Sequence, residues 1–310
     1  MNLIKKVYSK LYKTKNFFMS FCASRYLRLR TKPLENNVII SGSFLILVPH
    51  ADDEWVGCGG LFEDNNNIIT LCYMNMPGGD SKEIHAQRYM ELSQMAKIKD
   101  VHLLHLDGNE EQKVEKLKKI IEKTKPEHIC VPSCYDWHLE HLAVIKMLKK
   151  SLLNNKVPAD LKILTYQVSV PMPENMINAY SPISKIQQKE KWALFRQVYK
   201  TQDFFPVERF MHNEYVSGGI AGSYSAEVYC SMNYKDWITF VEKNTVNETQ
   251  RKELEKCFKN LIKVRGKVKD FSINNNVFYC CFDQWRAKKY HSIFLLELLF
   301  YCGKLILIDA

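Results

Sequence analysis

The chain has no Cys-x-x-Cys pair, no Gly-x-Gly-x-x-Gly loop, no long uninterrupted apolar run, and no acid in its first 34 residues. Each absence removes a class of protein. Its ten cysteines are scattered, mostly within apolar runs such as Cys72 and Cys280 to Cys281, which excludes a disulfide scaffold and suits reduced thiols in a cytosolic protein. Cys130, Cys134, His138 and His141 are spaced like a compressed zinc finger, but the insert between the pairs is too short and Cys130 falls inside a predicted strand. Ser292 to Ile308 is broken by Glu297, Gly303 and Lys304, so it reads as a buried helix and short strand rather than a membrane span. Phe17 to Ala23 is too short and too polar at Ser20 for a secretory core.

The missing acids localise the charge. Six lysines and three arginines within residues 1–34 account for +9 of the net charge of +10, so the remaining chain is close to neutral. A protein that tracks phosphates needs a basic stripe along its body, and none is present; no nucleic-acid partner is expected. Ile4, Val7, Leu11 and Phe18 recur at near-helical spacing among the lysines. That pattern predicts a basic amphipathic helix, either packed on the body or in peripheral contact with an anionic membrane face. With 46% hydrophobic and 12% aromatic residues in 310, there is material for one large α/β domain.

What the chain does have is concentrated in Phe44 to Gly60, FLILVPHADDEWVGCGG. A β-favouring run ends at Pro49 and is followed at once by His50, Asp52, Asp53 and Glu54, then by Gly57, Gly59 and Gly60. A buried strand thus delivers an imidazole and acids to its tip, where ligands bind in open parallel sheets. The glycines do not make a dinucleotide loop, because Phe62 stands at the third glycine position and three acids would repel a pyrophosphate. An imidazole and a carboxylate three positions apart can ligate one zinc ion, and a further ligand is available in Pro132 to His141, PSCYDWHLEH, after the apolar run Ile129 to Val131. Two histidines and one carboxylate leave a coordination position open, as catalytic zinc requires. Spacing alone leaves open which of Asp52 and Asp53 binds metal, and a solvated acidic turn is the competing reading of the first motif.

The two segments resemble the signature motifs of the LmbE-like (PIG-L) family of zinc-dependent de-N-acetylases, PHxDDExxGxGG and DxHxDH. The first is matched in full; the second departs at Glu140, where the family has Asp. The resemblance implies that His50, Asp53 and His141 ligate Zn2+, that Asp52 is the general base, and that His138 stabilises the oxyanion. It implies Asp136 as the partner that orients His138, Glu54 as a similar support for a ligand, and Arg88 and Asp107 as substrate contacts. The implied substrate is an N-acetylated, N-acetylglucosaminyl-type sugar conjugate, with an inactive glycan- or membrane-binding protein of the same fold as the alternative.

Alternation from Val38 onward predicts strands at 43–48, 68–73, 101–106, 128–131 and 161–170 and helices at 58–64, 80–98, 110–124 and 139–153. Together they predict a Rossmann-like, mostly parallel sheet with helices on both faces and the active site at the C-terminal edge of the strands. Lys189 to Gln202 reads as a further helix whose Trp192, Phe195 and Tyr199 belong to the core. Residues 205–229, centred on SGGIAGSYS, read as a loop. The expected organisation is a basic arm (1–36), a deacetylase domain (37–230) and a C-terminal extension packed on it (231–310), in a cytoplasmic protein.

Overall fold

The computed structural model describes residues 38–258 except 77–78, 154–155 and 204, with residues 24–25, 28–29, 31 and 33 and the backbone of 268–274 and 277–282. Most of the basic arm and the whole of Ser292 to Ile308 lie outside the described residues.

Eight strands form one sheet. In chain order they are β1 (Val38–Ile39), β2 (Ser43–Val48), β3 (Ile68–Tyr73), β4 (His102–His105), β5 (His128–Pro132), β6 (Lys162–Tyr166), β7 (Ala179–Ile183) and β8 (Ser225–Asn233). Their order across the sheet is β1-β7-β8-β6-β5-β2-β3-β4. Neighbouring strands are parallel except at β8, which runs antiparallel to both β6 and β7. The helices are α1 (Asp53–Cys58), α2 (Lys82–Ile98), α3 (Glu110–Thr124), α4 (Leu139–Leu153), α5 (Lys185–Val198), α6 (Val207–Ile220), α7 (Tyr234–Asn244) and α8 (Glu248–Phe258).

Strand β2 is central because its side chains are apolar in both directions. Phe44, Ile46 and Val48 join Trp55, Leu92, Met95, Trp192 and Phe195 on one face. Leu45 and Leu47 join Val114, Leu117, Val144, Leu148 and Trp237 on the other. A strand covered on both faces has no polar side, which is why this stretch reads as a continuous hydrophobic run. The chain steps from β2 outward to β3 and β4, then crosses back to enter β5 on the opposite flank of β2. The strand order therefore reverses between β2 and β5, and the loops leaving their carboxyl ends border a crevice. Those loops are the two motifs.

The structure revises several of the expected elements, among them the strand expected at 161–170, which ends at Tyr166. The helix expected at 58–64 begins earlier, at Asp53, and only a 3-10 turn (Gly59–Glu63) follows it. Asp53 and Glu54 thereby occupy a first helical turn, where carboxylates suit the exposed N–H groups. The loop expected at 205–229 is instead α6 and β8, with the turn confined to the residues around Gly222 (φ 66°). Gly218 is there for contact rather than looseness. A Cβ on it would come within 2.6 Å of the Ser225 Cα and 2.7 Å of the Arg28 guanidinium. Arg28 itself donates to the Tyr224 carbonyl at 2.8 Å and to those of Tyr215 and Ser223, so this part of the expected arm is seated on α6 and β8. The helix expected at Lys189 to Gln202 starts four residues sooner, and Trp192, Phe195 and Tyr199 are buried in the core as expected.

Trp237 of α7 is among the largest fully buried side chains and packs into the cluster beneath β2 and β5. Trp237→Ala is expected to cost roughly 3–5 kcal/mol of stability. A urea titration checks this through a lower midpoint with an unchanged slope.

Candidate metal centre

The centre begins with a strained turn. Asp52 has φ 126° and ψ −26°, a conformation that non-glycine residues rarely adopt and that signals a functional constraint when it persists. The turn is held from below. The buried Glu54 carboxylate accepts the Asp52 backbone N–H at 3.1 Å and the Tyr199 hydroxyl. Burial pushes Glu54 up to about 7, against the lowering effect of these two bonds. Glu54 therefore supports the turn itself and touches no ligand side chain directly.

With the turn in place, Asp53 points back under His50. Its Oδ2 accepts the His50 backbone N–H at 2.9 Å and lies 3.2 Å from His50 Nδ1 and 3.2 Å from His141 Nε2. The two ring nitrogens are 3.3 Å apart. Three donor atoms thus form a nearly equilateral triangle. Donors bound at about 2.0–2.1 Å to a tetrahedral zinc ion lie about 3.3 Å from one another, so the triangle has the dimensions of one face of such a site. The chemistry of the donors fits as well. Asp136 Oδ2 sits 3.0 Å from His141 Nδ1, which fixes a proton on that nitrogen and turns the Nε2 lone pair toward Asp53 and His50.

Electrostatics favour a cation in the triangle. Burial alone would lower the pKa of His141, but Asp53 and Asp136 on either side hold it well above the ordinary histidine value. Burial alone would raise Asp53, and His141 and His50 together hold it well below the usual carboxylate range. Positive charge is stable between these groups whether a proton or a metal ion supplies it. Asp52 differs. Burial and the adjacent Asp53 and Glu54 raise its pKa well above normal, and among the described residues its carboxylate accepts no hydrogen bond. A carboxylate without internal partners, facing a cleft, is free to exchange a proton with a ligand.

His138 stacks on Trp137 with ring centroids 3.7 Å apart and lies 4.8 Å from the His141 ring and 5.9 Å from that of His50. Burial and the neighbouring His141 bring its pKa down to about 4, so at neutral pH it is an uncharged hydrogen-bonding group. Asp136, expected to orient His138, reaches only its backbone N–H, at 3.0 Å, and its second oxygen braces His141. The cleft has a volume of about 260 Å³, with His50, Asp52, Asp53, His138 and His141 in its wall. Arg88 also lines it, and pairs at 2.9 Å with Asp80 rather than along its own helix with Glu91, which is buried against Thr201. Asp107 is absent from the cleft wall. Its carboxylate is mostly exposed and accepts from Asn75 Nδ2 at 2.5 Å, at the start of the loop after β3.

Beneath the motif lies an ionic cluster that sequence reasoning missed. Lys191, fully buried, contacts Glu214 Oε1 at 2.6 Å and Glu227 Oε1 at 2.5 Å. Glu227 Oε2 accepts the Gly60 N–H at 2.8 Å, so the cluster is tied to the glycine end of the first motif. A Cβ on Gly59 would lie 2.5 Å from the Lys191 side chain, which explains why this position has no side chain. The glycines were the available signal; their partner, far along the chain, was not visible from them.

Residues 45–151 match the family model described as PIG-L: GlcNAc-PI de-N-acetylase. That match covers the stretch that builds β2 through α4, and with it both loops of the centre. Among solved structures, the chain is similar to the conserved protein TT1542 from Thermus thermophilus, at 17% identity over 61% of this chain and 94% of that one, with a TM-score of 0.49. It is also similar to the A40926 pseudoaglycone deacetylase Dbv21 (12% identity, 63% and 98% coverage, TM-score 0.45). The zinc-inhibited form of teicoplanin deacetylase Orf2 aligns at 11% identity (63% and 99% coverage, TM-score 0.40). No curated protein matches the chain.

Two outcomes are expected. Calorimetric titration with zinc gives one site that His141→Ala abolishes and Asp136→Asn weakens roughly 10- to 100-fold. Asp52→Gly relieves the backbone strain and one buried carboxylate, and raises stability by roughly 1 kcal/mol in a denaturant titration.

Proposed function

We propose that the chain is a zinc-dependent hydrolase that removes the acetyl group from an N-acetylated sugar conjugate. The observation that carries this reading is the triangle of His50, Asp53 and His141 beside a carboxylate without internal partners, Asp52, in one cleft wall.

The geometry supports a division of labour. His50 Nδ1, Asp53 Oδ2 and His141 Nε2 would hold the metal, and Asp136 keeps His141 in the tautomer that could do so. Zinc, when bound, polarises an amide carbonyl and lowers the pKa of water to about 7, so that a nucleophile exists at neutral pH. Asp52 takes the proton of the attacking water and returns it to the nitrogen of the departing amine. Its burial beside two acids makes it a better base than an exposed aspartate. His138 is an uncharged imidazole on the same wall, held in place by the Trp137 ring. Its N–H supplies a hydrogen bond to the oxyanion that develops on the carbonyl, a contribution made only in the transition state.

The sugar class draws on the PIG-L match over residues 45–151. Arg88, in the same cleft wall as the apolar side chains of Val56 and Phe210, is the candidate contact to the conjugate's polar part. Asp107 is assigned to the Asn75 loop instead, given its place outside the cleft wall.

Acetate release from N-acetylglucosamine conjugates by the zinc-loaded protein tests the reading. Asp52→Asn is expected to lower the rate roughly 10²- to 10⁴-fold while zinc affinity stays within a factor of two or so of wild type. Full activity in that variant would remove Asp52 from the base role, and a zinc-loaded wild type inert toward all such conjugates would refute the substrate class.

A further inference from the structure

Besides Asp52, two buried polar side chains in the cleft make no hydrogen bond to protein among the described residues. Gln202, at the end of the 3-10 turn Lys200–Gln202, is 6% exposed, and Ser169, on the loop after β6, is 4% exposed. Both line the cleft, and among the described residues neither side chain makes a hydrogen bond. Two other glutamines nearby are satisfied. Gln188 of α5 donates to the Met211 carbonyl at 2.9 Å and to Glu214 at 2.8 Å. The Gln167 amide oxygen accepts the Met172 N–H at 2.7 Å. An amide or hydroxyl that lines a cleft without a protein partner is completed there by a ligand or water.

The position of Gln202 is fixed by its surroundings. Its backbone N–H donates to the Tyr199 carbonyl at 3.1 Å, and its own carbonyl accepts from Phe205 at 2.8 Å. The preceding Thr201 is pinned to Glu91 through both its N–H (2.9 Å) and its hydroxyl (2.5 Å). The Gln202 amide therefore stands ready on a rigid element, as a recognition group must. Beside it Phe205 and Phe210 line the same cleft, stacked at 4.6 Å and 22°.

An amide that both donates and accepts, a hydroxyl that rotates to suit its partner, and an apolar ring surface match one chemistry better than others. A pyranose presents adjacent hydroxyls around its rim and a C–H face above them. A carboxylate ligand would use only the donors, and an acyl chain would leave both polar groups unpaired. We propose that Gln202 and Ser169 form a sugar-ring subsite that holds substrate hydroxyls against the Phe205 side of the cleft, and so determines specificity for a glycoside over a plain acetamide. This deepens the deacetylase reading and rests on it for the placement of the acetamido group at the metal.

Binding to the zinc-loaded full-length protein tests the subsite without requiring turnover. The probes are methyl N-acetyl-β-glucosaminide, its singly deoxygenated analogues, and N-butylacetamide, followed by ligand-observed NMR. Wild type is expected to bind the glucosaminide at least tenfold more tightly than N-butylacetamide. Gln202→Leu and Ser169→Ala should each weaken glucosaminide binding about tenfold. One deoxygenated analogue should lose the same factor with wild type and no further factor with the variant, because the hydrogen bond can be lost only once. The proposal is overturned if both variants bind like wild type, if N-butylacetamide binds as well as the glucosaminide, or if the glucosaminide does not bind at all. The deoxygenated series on wild type decides the matter should a variant fail to fold. Acetate release is scored separately. Selective binding without release would retain the subsite and remove the hydrolase reading, whereas release with a KM unchanged in both variants would do the reverse.

Discussion

The carboxylate of Asp53 is the contact on which the centre depends. One oxygen accepts the His50 backbone N–H and faces both imidazoles, so it closes the turn after β2 and reaches the loop after β5 at the same time. Burying a carboxylate is costly unless partners of opposite sign or strong donors surround it. Here the partners come from two loops, and Asp136 extends the chain of contacts by bracing the far side of His141. The order His50, Asp53, His141, Asp136 thus alternates imidazole and carboxylate across the point where the sheet reverses its strand order.

That alternation stands on a foundation of less obvious groups. Glu54 and Tyr199 hold the backbone of Asp52 in its strained conformation from one side. From below, Glu227 takes the Gly60 N–H and is neutralised by Lys191, which also answers to Glu214 on α6. A buried cation between two carboxylates contributes little net stability compared with apolar packing, but removing Lys191 would leave two buried carboxylates without a counter-charge. Such a cluster makes the arrangement of α5, α6 and the glycine turn all-or-none. A rigid turn suits a centre whose donor atoms must be placed within a few tenths of an ångström, since metal ligation tolerates little more.

How much of this is legible in the chain varies with the range of the interaction. Strands β2, β3 and β5 and helices α3 and α4 fall where the hydrophobic pattern puts them, because each is a local periodicity facing a buried surface. The stretch 205–229 reads wrongly as a loop because Gly218 and Gly219 look like loop residues until their neighbours, Ser225, Arg28 and Thr31, are known. Sequence proximity pairs Asp136 with His138, whereas a turn at Ser133 to Asp136 and the start of α4 bring it to His141. Asp107 is a site candidate through the family resemblance alone. The strand before it is the sheet edge, two strands away from the reversal point, and its carboxylate meets Asn75.

The sequence by itself determined which groups could do chemistry. A strand apolar on both faces, ending in His50, Asp52 and Asp53, and a second ending in Asp136, His138 and His141, encode two loops rich in metal donors, since local patterning decides where strands end. Only the tertiary structure decided that these loops are adjacent, that Asp53 rather than Asp52 turns toward the imidazoles, and that Gln202 and Ser169, inconspicuous in the chain, face the same cleft. Those facts depend on the crossing from β4 back to β5 and on the φ of a single residue, and neither is a property of any short stretch of residues.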